Sequence, residues 1–152
     1  MVQSVYPAVY NWYIEKLQEI FDDCNIYETE YTIGRDIVYP AVFVGPIRMP
    51  RELYLQEMKN FSVLFTTVLA DRGSAGDAHE RREKLFEYYG KFVSEMDRYY
   101  FNLRIEDNGN VSVFPLLGDT VEVPEMNEDY TGPFIVYRVE WVYSVEFAAT
   151  LT

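Results

Sequence analysis

The chain contains one histidine and one cysteine, so any nucleophilic or metal chemistry has to pass through His79 or Cys24. A hydrolase triad needs a base within hydrogen-bond reach of a nucleophile. His79 instead falls in the first turn of a charged helix, beside Glu80 and Arg81, where water is its expected partner. Cys24 follows Asp22 and Asp23, whose negative charge raises a thiol pKa rather than activating it. Single copies also exclude an intrachain disulfide and a zinc cluster of ordinary His/Cys spacing. "RGSAGD", residues 72–77, could turn backbone N–H groups toward an anion at a helix N-terminus. It lacks the Lys-Ser/Thr pair of a phosphate loop and the dinucleotide glycine spacing, and Asp77 would itself fill the anion position. "EDNGN", residues 106–110, begins like a calcium loop, but Gly118 stands where the closing glutamate belongs. Paired carboxylates are scattered along the chain without a sequence-visible cause for a shifted pKa. No catalytic, cofactor-binding or metal-binding residue is expected, and the chain reads as a non-enzyme.

Two other constellations suit binding. After the apolar run Val38–Val44 the chain passes Gly45, Pro46 and Pro50 into a stretch holding Arg48, Met49, Arg51, Leu53 and Tyr54. This reads as an extended arm over residues 45–60, with Met49, Leu53 and Tyr54 as apolar anchors and two arginines facing acidic surfaces. Beyond Phe101 the only basic residues are Arg104 and Arg138, whereas Asp119, Glu122, Glu125, Glu128 and Asp129 crowd a segment broken by Pro and Gly. That stretch is either an acidic loop facing a channel or partner, or a solvated loop.

The elements that must position these residues follow from periodicity. Val9, Trp12, Tyr13, Leu17, Ile20 and Phe21 recur at helical spacing and predict a helix over residues 7–22, with Pro7 near its start. "CNIYETEYTIG" suits a short strand or extended connection. "DIVYPAVFVG" is a strand that begins, or is interrupted, at Pro40, which has no N–H for a ladder. "FSVLFTTVLAD", residues 61–71, is β-branched, aromatic and nearly uncharged, the pattern of a central strand. A second helix carries Leu85, Tyr89, Phe92 and Met96 on one stripe and Glu83, Lys84, Glu87, Lys91 and Glu95 toward water, with Asp77 as N-cap and Glu80 completing a capping box. Asn108-Gly109 between alternating segments predicts a β-hairpin inside an insertion over residues 101–133. From Ile135 to Phe147 strict alternation sets Tyr137, Val139, Trp141, Tyr143 and Val145 against Arg138, Glu140, Ser144 and Glu146. The expectation is an α+β domain: a mostly antiparallel sheet with two helices on one face, the hairpin insertion, the arm, and the Arg138–Glu146 face left to water or a neighbour.

Composition agrees with one domain over residues 1–152 that has a core of its own: 49% of residues are hydrophobic, and 14 Tyr and 10 Phe are present. Tyrosine in such number suits either a β core or a protein interface, since it joins an apolar face to a hydroxyl that prefers a wet rim. With 13 Lys and Arg against 25 Asp and Glu, the net charge of −12 disfavours clamping onto nucleic acid by phosphate neutralisation. Charged residues within the first twenty positions and the lack of a long apolar run argue against a signal peptide or a membrane span, so the chain is expected to be made, and to remain, in the cytoplasm.

The order of these elements, with "YPAVFVG" after the first helix, "FSVLFTTVLAD" before "EKLFEYYGKFVSEM", and the closing "VYRVEWVYSVEFA", resembles the tail terminator, or tail completion, proteins of long-tailed bacteriophages. The resemblance covers most of the chain in element order, while the 101–133 insertion departs from it. It implies a structural virion protein, assembled in the host cytoplasm, that forms a ring with itself, usually a hexamer. Such a ring caps the tail tube protein and meets the neck or head-completion protein; DNA only passes through its channel, and neither membrane nor cofactor is involved. Other structural proteins of the neck or tail tube with a similar sheet, and a small acidic protein-binding module of the cytoplasm, are the alternatives.

Overall fold

A computed structural model describes residues 2–34, 36–48, 53–55, 58–101, 105–107, 111–121 and 124–151. Eight strands form one sheet, and α1 (Val2–Ile20) and α2 (Ala78–Phe101) lie on one face of it, the α+β arrangement expected. The sheet is mostly antiparallel. Its exception is β1 (Asn25–Tyr27), which runs parallel to β2 (Ala41–Arg48).

The spine is the pairing of β4 (Met58–Gly73) with β8 (Ile135–Leu151), sixteen residue pairs from Met58↔Thr150 to Gly73↔Ile135 without a bulge. At about 3.3 Å per residue this ladder runs roughly 50 Å. Beside β4 lie β2 and then β3 (Leu53–Leu55); beside β8 lie β7 (Glu125–Tyr130) and then β6 (Val111–Val121), which also pairs with β5 (Ile105–Asp107). At one end, therefore, a single row crosses five strands as Tyr27, Phe43, Val68, Glu140 and Glu125. At the other end the row is Tyr54, Lys59, Ala149, Val113 and Ile105.

Period two explains the core. Val63, Phe65, Thr67 and Leu69 of β4 and Tyr137, Val139, Trp141, Tyr143, Val145 and Phe147 of β8 all point beneath the helices and are buried. Tyr13 of α1 inserts between Phe65 and Tyr143, with ring centroids 4.1 and 5.5 Å away, and Phe92 of α2 meets it edge-on. The Tyr13 hydroxyl shares a 2.7 Å hydrogen bond with Thr67 Oγ1, so this buried threonine is satisfied by the helix above it. On the opposite face Ala41, Phe43, Val68, Ala70 and Val136 form a second, smaller core, roofed by Tyr27, Tyr31, Ile37, Tyr39 and Phe134. The face expected to be open is thus covered at its Arg138 end, while Ser144 is partly exposed and Glu146 exposed.

Several local expectations are corrected. The first helix begins at Val2, not Pro7, so Pro7 lies inside it, where it has no N–H for the Gln3 carbonyl. Asp77 is not the N-cap of α2: its Oδ2 reaches back to the Ser74 N–H at 2.9 Å and the Ser74 hydroxyl at 3.1 Å, closing a 3₁₀ turn (Ala75–Asp77) ahead of the helix. Tyr88, which the stripe left out, is buried, while Tyr89 is partly buried and packs against Trp141 as the stripe requires. β2 starts directly after Pro40, as the missing N–H requires, and a register shift between Val44 and Ile47 accommodates Pro46.

Candidate interaction surface

The sole histidine lies on α2 and the sole cysteine in the turn after α1. The His79 side chain is 96% exposed and sits 3.3 Å from Glu83. Cys24 is half-buried with Sγ 3.5 Å from Asp23 Oδ1, and burial together with the Asp23 charge pushes its thiol up to about 12. A thiol so placed stays protonated at neutral pH and is a poor nucleophile. Among the described residues no three His, Cys, Asp or Glu side chains converge as metal ligands.

The acidic stretch is strand, not loop. Glu125–Tyr130 forms β7 along β8, and Asp119 is in β6 opposite Val145; Glu122 lies outside the described residues. Alternation divides its carboxylates. Glu128, opposite Tyr137, turns to the helix face and pairs closely with Arg82 of α2. Asp129, opposite Val136, turns the other way, accepting from Arg138 Nε at 2.7 Å and from the Tyr31 hydroxyl at 2.7 Å. Burial alone would raise the Asp129 pKa, but those two donors and the Arg138 charge outweigh it and hold the carboxyl below its ordinary value. The Arg138 guanidinium also lies 5.0 Å from the Tyr31 ring centroid. The acidic run, punctuated by Pro and Gly, kept these residues from reading as a strand; Arg82 is 46 residues from Glu128, and Arg138 follows Asp129 by nine on the adjacent strand. Glu125, opposite Glu140, stays exposed.

Of the arm residues, Arg48 ends β2 opposite Leu64, and Leu53 and Tyr54 pair with Asn60 and Lys59 in the β3–β4 hairpin. Met49 and Arg51 lie outside the described residues. The excursion is in part a continuation of the sheet, since β3 takes up the edge of β4 that β2 vacates.

Apolar residues that no sequence pattern singled out are exposed on two flanks. On α2, Phe86 is 59% and Val93 39% exposed, seven residues apart and so on one helix face. Arg82, one turn before Phe86, is tied to Glu128, which puts this stripe on the β7 side, where Tyr130 is 74% exposed. Beside it a groove of about 370 Å³ is lined by Tyr89, Val93, Met96, Asp97 and Val121. On the opposite side of the sheet, the connection from β1 to β2 exposes Ile33 and Val38. A signal for Phe86 and Val93 existed: both are large apolar residues off the 85/89/92/96 stripe.

No protein-family model matches the chain, and no curated protein matches it in sequence. Fold and surface define a class, an α+β sheet protein whose two sheet flanks expose apolar side chains and in which, among the described residues, no helix is long and apolar enough to cross a membrane.

Proposed function

We propose that the chain is a ring-forming structural subunit that closes a phage tail tube and joins it to the head. A head-to-tail ring needs two different surfaces on each subunit, one for each neighbour. The observation that carries the reading is the pair of unlike flanks at opposite sides of one sheet: Phe86, Val93 and Tyr130 on the α2–β7 side, Ile33 and Val38 on the β1 side. Exposed aromatic residues of this kind are the usual anchors of protein interfaces. The element order that resembles tail terminators supports it further, and a net charge of −12 per subunit, multiplied around a ring, would keep a passing duplex from adhering. Ring partners in this reading are copies of the chain, the tail tube protein and a neck protein.

The test is size and shape. Sedimentation at rising concentration and negative-stain imaging with purified tail tubes should show a ring, free or seated on the tube end. A species that stays monomeric in both would sink the proposal and leave the small acidic binding module in its place.

A further inference from the structure

Because β2 starts opposite Ala70, the last residues of β4, Asp71–Gly73, have no strand beside them on that edge. The space is a cavity of about 490 Å³, walled by Ile37, Val38, Tyr39 and Pro40 on one side and by Asp71, Arg72, Arg81 and Lys84 on the other. Three cations face one carboxylate there, on a chain whose net charge is −12.

Asp71 cannot neutralise the set. Its Oδ2 already takes Arg81 Nη1 at 3.0 Å and Lys84 Nζ at 3.5 Å, and its Oδ1 takes the Arg72 backbone N–H at 2.9 Å. The Arg72 guanidinium lies 5.1 Å from the Phe134 ring centroid, and among the described residues no carboxylate pairs with it. Tyr39 Oη and Arg81 Nε, atoms of two wall residues, are themselves closed off from solvent and have no hydrogen-bond partner. Arg81 is held in place by close packing: a Cβ on Gly73 would come within 3.0 Å of its Nε.

We infer that this cavity is a binding site for an organic carboxylate, with Arg72 and Lys84 as its charged donors. Charge calls for an anion. The apolar wall of Ile37, Val38 and Pro40 calls for one with a hydrocarbon stem, because inorganic phosphate needs hydrogen-bond partners around all its oxygens. Such a carboxylate has two sources, a free organic acid or an Asp or Glu side chain of a second copy. The site itself does not depend on the ring reading.

Glutarate, which has the stem and carboxylate of a glutamate side chain, is the probe. Titrated into the full chain, it should produce saturable shifts in the backbone amide resonances of Val38, Tyr39, Arg72 and Gly73. Lys84→Ala and Arg72→Ala, each checked for an unchanged melt, should weaken binding at least tenfold, and inorganic phosphate should bind these amides more weakly than glutarate. Three results would overturn the assignment: no saturable shift up to about 100 mM, identical titrations in wild type and variants, or phosphate binding as tightly as glutarate. Where the site binds, self-association measured with and without glutarate identifies the source. Weakening by glutarate, reproduced by the double variant, assigns a neighbour's carboxylate; indifference, or a chain that does not self-associate, assigns a free acid. Failure of the ring thus leaves the binding result standing, and failure of binding leaves the ring untouched.

Discussion

Replacing Phe86 by alanine separates the outer stripe of α2 from the fold beneath it. An aromatic side chain offers about 150–250 Å² for burial. With 59% of Phe86 still exposed, roughly 120 Å² remains for a neighbour to cover. At about 25 cal/mol per Å² that is ~3 kcal/mol for each interface, a loss of about a hundredfold in the association constant. The same change should hardly touch the monomer, because the exposed ring contributes little to the core and alanine is the better helix former. Sedimentation velocity over a wide concentration range measures the first quantity, and a denaturant melt the second. The expected pair of results is weakened assembly with a midpoint that is unchanged or slightly raised. Unchanged association with an unchanged melt would remove the α2 stripe from any interface; a large loss of stability would mean that Phe86 is core after all, contrary to its exposure.

Three further outcomes follow from the interior and the ion pairs. Tyr13→Phe leaves the Thr67 hydroxyl buried without its partner and should cost about 1–3 kcal/mol in urea melts, whereas adding Thr67→Val should recover much of that loss, since neither hydroxyl of the pair is then left alone. Asp129 has a folded-state pKa below its ordinary value of 3.8, so its contribution is fully present above that value and is lost as pH falls through the lower, folded one. Asp129→Asn should therefore lower stability at neutral pH and flatten the acid limb of the stability curve; an unaltered acid limb would show that its pairing with Arg138 and Tyr31 contributes nothing. Cys24, with its thiol pushed up to about 12, should resist alkylation at pH 8 in the native protein and react promptly once unfolded, as mass spectrometry will show.

What the sequence disclosed was whatever depends on neighbours along the chain. Alternation from Ile135 to Phe147 fixed which residues of β8 would be buried, and each of Tyr137, Val139, Trp141, Tyr143 and Val145 is. Asn108-Gly109 announced a β-hairpin; those two residues lie outside the described ones, and Ile105–Asp107 does pair antiparallel with Val111–Val113. Features that depend on remote pairing were hidden. Glu128 and Asp129 looked like solvent-facing charge because their partners Arg82 and Tyr31 lie 46 and 98 residues away. The carboxylate site is composed of two short segments, residues 37–40 and 71–84, brought together by the start of β2 opposite Ala70. No periodicity within either segment reports that meeting.

The same remote pairing changes how the two excursions should be understood. From sequence, the arm over residues 45–60 and the insertion over residues 101–133 are independent, and each could address a different partner. Register denies them that independence. β3 pairs with the start of β4, that start pairs with the end of β8, and the end of β8 pairs with the start of β6, which carries β5. The arm's hairpin and the insertion's hairpin are therefore neighbouring parts of one five-stranded end, and a single backbone row runs from Tyr54 through Lys59, Ala149 and Val113 to Ile105. A surface that recognises one hairpin must meet or be shaped by the other. In a ring, that end would face one partner along the tail axis while the α2–β7 and β1 flanks faced the neighbouring subunits, because sheet ends and sheet edges lie roughly at right angles.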